Sequence, residues 1–129
     1  MAKQILETPS APEPIGPYSV AVEAGGLVFL SGQVGADPAT GERTPDDIQI
    51  QTRRVLDNIG AILGDLGLGY SDIVKSTVFL TDMADYPAVN EVYGSYFKNA
   101  PPARSAVQVA ALPGGYLIEI EVVAARTES

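Results

Sequence analysis

Ile73-Val74-Lys75-Ser76-Thr77-Val78-Phe79-Leu80 is β-branched or apolar at most of its positions and reads as a buried strand. Working outward, the segment before it is helical. Ile48, Val55, Leu56, Ile59, Ile62, Leu63 and Leu66 fall on one face at helical spacing. Thr44 is placed to cap that helix, Pro45 suits its first position, and Asp46 and Asp47 favour its positive end. Gly64, Gly67 and Gly69 offer stops. After the strand, a second helix is expected from about Tyr86 to Phe97, with a stripe of Tyr86, Val89, Tyr93, Tyr96 and Phe97. Asn90 lies on that stripe, where an apolar residue would be expected, and Pro101-Pro102 end the segment.

Further out, Ala103 to Val109 and Tyr116 to Ala125 read as two last strands joined by Pro113-Gly114-Gly115. Toward the N-terminus, Ser19 to Glu23 and Leu27 to Gly32 read as a hairpin turning at Ala24-Gly25-Gly26. Residues 7–17 are Pro-rich and read as an extended arm. The order β-β-α-β-α-β-β implies a two-layer α+β sandwich with both helices on one sheet face. The other face then needs cover, and other subunits are the expected source, so a homo-oligomer is expected. The 129 residues suit a single domain spanning 1–129.

Composition removes whole classes of chemistry. There is no Cys, hence no disulfide framework, thiolate nucleophile or Cys metal site. There is no His either, which excludes Ser-His-Asp and Cys-His catalysis and the His-dependent zinc sites. Sixteen acidic residues against eight basic give a net charge of −8, opposite in sign to a nucleic-acid footprint. Arg53-Arg54 is the one adjacent basic pair and reads as a solvated helix face. Ser31-Gly32-Gln33-Val34-Gly35 lacks the Lys-Ser/Thr of a P-loop, and no dinucleotide fingerprint or calcium-loop spacing is present. Met-Ala-Lys-Gln is followed by no long apolar stretch, and no run approaches a membrane span, so a cytoplasmic protein is expected.

Two strands carry the chemistry-bearing residues. Along Ala103 to Val109, Arg104, Ala106 and Gln108 share one face, and Ala103, Ser105, Val107 and Val109 share the other. The planar fork of an arginine binds a carboxylate or phosphate through two parallel hydrogen bonds, although an edge-strand arginine reaching water, or half of a structural ion pair, has the same signature. Along the last strand Ile118, Ile120 and Val122 oppose Glu119 and Glu121. Two carboxylates on one face can position water, and they can also simply be the wet side of a half-exposed strand. Asn90 is open to either a functional role or the capture of a neighbouring backbone group.

Several segments in order resemble the RidA/YjgF family of enamine/imine deaminases. They are Ile15-Gly16-Pro17-Tyr18-Ser19, Leu30-Ser31-Gly32-Gln33, Leu56-Asp57-Asn58-Ile59 and Asp72 to Phe79. Asp82, Asn90 with Tyr93 and Phe97, Pro102-Ala103-Arg104-Ser105 and Ile118-Glu119-Ile120-Glu121 complete the set, which covers nearly the whole chain. The resemblance implies a chorismate-mutase-like fold assembled as a homotrimer with a site at each subunit interface. It implies hydrolysis of 2-imino acids, such as the 2-iminopropanoate formed from 2-aminoacrylate, to 2-keto acids and ammonia, with no cofactor and no metal. By the same match Arg104 grips the substrate carboxylate and Glu119 attends the hydrolytic water. Tyr18 belongs to the site wall, and Ser31, Gly32 and Asn90 lie near the pocket. Many relatives carry a cysteine two residues after the arginine. This chain has Ala106, so any role there falls to its backbone, and a thiol cannot be essential.

Two other functions compete with the deaminase. One is a non-catalytic small-ligand or chaperone-like interaction module of the same fold. The other is a ribonuclease, since some relatives are described as translation inhibitors. The acidic balance and the missing His count against the latter.

Overall fold

The structure is a computed structural model that describes residues 2–126; Met1 and residues 127–129 of the expected 1–129 domain lie outside it. Eight principal elements follow one another: β1 (Gln4–Ile5), β2 (Ala21–Ala24), β3 (Leu27–Gln33), α1 (Ile48–Asp65), β4 (Ile73–Leu80), α2 (Tyr86–Tyr96), β5 (Ala103–Gln108) and β6 (Ile118–Ala125). The strands form one sheet in the order β1-β2-β3-β6-β4-β5. Only β4 and β5 run parallel, as a crossover through α2 requires; every other pair is antiparallel. The fold is therefore the expected two-layer α+β, with both helices on one face.

Local chemistry explains the joints. Gly25 and Gly26 adopt φ of 59° and 79°, the left-handed pair that a two-residue hairpin between β2 and β3 demands. Helix α1 starts at Ile48, later than the Thr44-Pro45 reading. Asp47 is the cap, its carboxylate accepting from the Gln49 and Ile50 amides at 3.0 Å each. The Thr44 hydroxyl is engaged elsewhere, donating to the Gly35 carbonyl at 2.6 Å. Of the glycines offered as stops, Gly67 at φ 74° ends α1, and the Leu68 amide reaches back to the Leu63 carbonyl. The short strand β1 is an addition to the expected order. Two exposed residues leave no periodic pattern, and they pair with Val22 and Glu23 at the sheet edge.

The core lies between the helices and the inner sheet face. Val55, Leu56, Ile59, Ile62 and Leu63 from α1 are fully buried against Val28, Leu80, Ile118 and Ile120. A wholly buried Gln51 ties this layer to its loops, donating to the Pro45 carbonyl and accepting from the Leu117 amide at 2.9 Å. The outer sheet face is different. Leu27, Phe29 and Val107 stand exposed there in the single chain. An apolar face of this kind is the surface that association between chains would bury. Among the described residues no helix is long and apolar enough to cross a membrane.

Candidate active site

Register decides what each face carries. Ser76 pairs with Arg104, Val78 with Ala106 and Leu80 with Gln108, and Ser76, Val78 and Leu80 are buried under the helices. Arg104 and Ala106 therefore look toward α2. On β6, Ile118 and Ile120 take the inner face, so Glu119 and Glu121 look outward, beside Phe79 and Thr77. Within one chain Arg104 and Glu119 sit on opposite faces of the sheet.

Glu119 belongs to a cavity of about 790 Å3 whose lining also includes Tyr18, Ser31, Gly32 and Tyr116. The pairing of β3 with β6 slips between Leu30 and Gln33, so Ser31 and Gly32 form a bulge. The bulge is held from the side: the Ser31 hydroxyl donates to the Ser19 carbonyl at 2.7 Å and its amide to the Val20 carbonyl at 2.8 Å. At Gly32 the Glu119 side chain fills the space that a Cβ would need. Burial, and to a lesser extent the Glu121 charge, raises the Glu119 carboxyl above the ordinary carboxylate range. Tyr18 stands about half exposed at the rim.

Arg104 occupies an aromatic cradle. Its Nη2 donates to the Tyr86 hydroxyl at 2.8 Å, and its guanidinium carbon lies 4.8 Å from the Tyr93 ring centroid and 5.4 Å from that of Tyr86. Tyr93 is fixed in turn by a 2.6 Å hydrogen bond with the buried Ser76 hydroxyl. Among the described residues no carboxylate pairs with Arg104. Asn90, one turn beyond Tyr86 on α2, has a buried Oδ1 with no hydrogen-bond partner among the described residues.

The residues singled out from the sequence thus form two groups. Tyr18, Ser31, Gly32 and Glu119 come together around the cavity; Arg104 and Ala106 lie on the other face, with Asn90 on the helix that covers it. The cradle of Tyr86, Tyr93 and Ser76 was missed. Both tyrosines were visible as members of the α2 stripe, but their use as a seat for a cation follows only from the pairing of β4 with β5. Among the described residues no group of three or more acidic side chains is arranged to hold a metal ion.

Comparison with known proteins bears on the family. Residues 8–126 match the family described as Endoribonuclease L-PSP. Protein DfrA of Myxococcus xanthus is 50% identical over 126 residues, covering 96% of each chain. The 2-iminobutanoate/2-iminopropanoate deaminase of Mus musculus is 44% identical over 122 residues, 95% of this chain and 90% of the relative. The solved structure of E. coli TdcF with bound serine superposes with a TM-score of 0.90 at 46% identity, covering 96% of this chain and 99% of the other.

Proposed function

Because the chain belongs to the RidA/YjgF family, we propose that it is a cytoplasmic hydrolase that converts reactive 2-imino acids to 2-keto acids and ammonia. The observation that carries this reading is the pair of half-sites. One offers a carboxylate with a raised pKa beside a cavity, and the other offers an arginine held by aromatic rings and, among the described residues, without a carboxylate partner. A 2-imino acid is too small to reach both through the sheet, so the half-sites serve one substrate only if Arg104 of one chain faces Glu119 of a neighbour. The uncovered outer face, with Phe29 and Val107 exposed, gives that neighbour an apolar seat. The number of subunits, three, rests on the family resemblance.

In this arrangement the Arg104 fork binds the substrate carboxylate and fixes the imine carbon near a water held by Glu119. Glu119 accepts the water's proton as its oxygen adds to the imine carbon. The tetrahedral adduct then takes that proton from Glu119 onto its nitrogen, and ammonia leaves as the adduct's hydroxyl gives its own proton back to Glu119, leaving the keto acid. A protonated imine is electrophilic enough that neither a thiol nor an imidazole is needed, which fits a chain lacking Cys and His and carrying Ala106. Tyr18, Ser31, Gly32 and Asn90 shape the surrounding wall. The bound serine of TdcF, a small amino acid with its own carboxylate, is consistent with such a ligand class. A net charge of −8 and the absence of His make the endoribonuclease in the family's description the weaker reading for this chain.

The test generates imino acids in situ with an amino-acid oxidase and follows residual imine by semicarbazide trapping. Faster imine loss and ammonia release with the wild type, abolished in Arg104→Ala, supports the deaminase. Keto-acid binding without turnover across several imino acids points to a binding module instead.

A further inference from the structure

The cavity beside Glu119 is open on one side in the single chain and has a largely apolar lining. Beyond Glu119 and Ser31 its walls include Ile15, Val20, Val34, Pro38, Pro113 and Tyr116. Its outer part is built from two remote segments, the loop 36–41 and the turn Pro113–Gly115 with Tyr116. That turn is closed by one backbone hydrogen bond, from the Gly115 amide to the Leu112 carbonyl at 3.0 Å. Gly114 and Gly115 both take positive φ, 75° and 72°, and neither carries a side chain to pack.

Arg43 supplies a second constraint, from outside the turn. It sits at the base of the 36–41 loop, bridged to Ala36. Its Nη2 donates to the Gly115 carbonyl at 2.6 Å and also to the Asp46 carboxylate, which orients the guanidinium. The guanidinium carbon lies 4.9 Å from the Tyr116 ring centroid, and the ring is buried, packed against Gly114. Arg43 itself does not line the cavity.

We propose that Arg43 is a positioning residue that latches Tyr116 and the Pro113–Gly115 turn against the facing loop, fixing an apolar wall that selects 2-imino acids with bulky apolar side chains. The inference rests on the deaminase reading above. With carboxylate and imine held at the polar end, the substrate side chain is left to fill the apolar end. The methyl of 2-iminopropanoate offers an apolar wall little surface to bury, whereas the branched side chain of the leucine-derived imine offers more. The Arg43–Asp46 pair is partly exposed, 39% and 68% at the side chains, so its loss removes little global stability.

The experiment compares kcat/KM for the leucine-derived and alanine-derived imines, using wild type, Arg43→Ala and Arg43→Lys, with thermal unfolding of each. Wild type is expected to favour the leucine-derived imine. In Arg43→Ala the ratio of the two constants is expected to fall about tenfold, through KM for the bulky imine, because an apolar pocket wall that has shifted no longer closes on the substrate side chain. Arg43→Lys keeps a cation over the ring and is expected to restore part of the ratio. Should Arg43→Ala fail to fold, Arg43→Gln, which keeps a donor for Gly115 but not the cation, carries the same comparison. An active wild type that favours the small imine, or an unchanged ratio in the variants, overturns this inference alone. A wild type inactive on both imines overturns the deaminase reading and the selectivity with it.

Discussion

Gly32 and Glu119 share a space that only glycine leaves open: a Cβ on Gly32 would lie 2.7 Å from Glu119 Cδ and 2.9 Å from Cγ, and closer still to Oε2. The clash is with a movable side chain and not with backbone, so the carboxylate, not the sheet, is what must give way. Gly32→Ala is therefore expected to fold, with a Tm within a few degrees of wild type, while kcat falls toward that of Glu119→Gln. A large loss of Tm with kcat preserved would show that the bulge serves the sheet and not the carboxylate.

Because Arg104 and Glu119 occupy opposite faces of one sheet, an active site that uses both draws them from different chains. Arg104→Ala and Glu119→Gln are each expected to retain only a small residual rate alone. Co-refolded in equal amounts they are expected to regain about a quarter of wild-type activity, since a random closed ring leaves that share of interfaces with both residues intact. A mixture as inactive as its parents would place both residues in one chain's own site, against the geometry.

Alternation along β5 and β6 was legible from residue types alone, and so were the α1 stripe and β4. Alternation says that Arg104 and Val107 look opposite ways; it does not say which of them faces the helices. That choice is fixed by the pairing of Ser76 with Arg104, a non-local register that no local pattern encodes. The start of α1 was misplaced for a related reason. Thr44 and Asp47 are both good caps, and the choice fell to Asp47 because the Gly35 carbonyl, distant in sequence from the helix, takes the Thr44 hydroxyl. No local pattern marks Arg43, because its partners Gly115 and Tyr116 lie far along the chain.

The raised Glu119 carboxyl links activity and stability through pH with opposite signs. The unfolded chain ionises this group near 4.5, and the folded chain does so at higher pH because burial, then Glu121, disfavours the charge. The unfolded state therefore holds fewer protons here between the two values, and the stability this group contributes is lost as pH rises through them. Activity moves the other way, since a base must be ionised to accept a proton. Urea midpoints at fixed protein concentration are expected to show Glu119→Gln gaining on wild type as pH climbs from about 4 to 7. Over the same interval kcat of the wild type is expected to rise, and the residual rate of Glu119→Gln to lack that limb. A pH-independent stability difference would mean that Glu119 ionises at its ordinary value and is not tuned for base chemistry.

On α1 a second glycine has its space claimed by a neighbour. A Cβ on Gly60 would lie 2.6 Å from Tyr70 Cζ and 3.1 Å from Cε2. The Tyr70 hydroxyl donates to the Leu56 carbonyl at 2.7 Å, and its ring meets Tyr96 and Phe97 edge-on at 5.5 and 5.9 Å. Burial, reinforced by the Asp57 charge, pushes that hydroxyl up to about 12, so it remains a donor throughout the neutral range. Helix propensity alone favours alanine over glycine by about 1 kcal/mol, yet here the added methyl collides with a ring wedged between α1 and α2. Gly60→Ala is expected to destabilise by about 1–3 kcal/mol, the usual range for an overpacked site. In a Tyr70→Ala background the collision is gone, and the same substitution is expected to turn stabilising by up to about 1 kcal/mol. Urea denaturation of the four proteins measures the coupling. If Gly60→Ala has the same effect in both backgrounds, Tyr70 does not depend on the bare backbone at Gly60, and the glycine has no packing role.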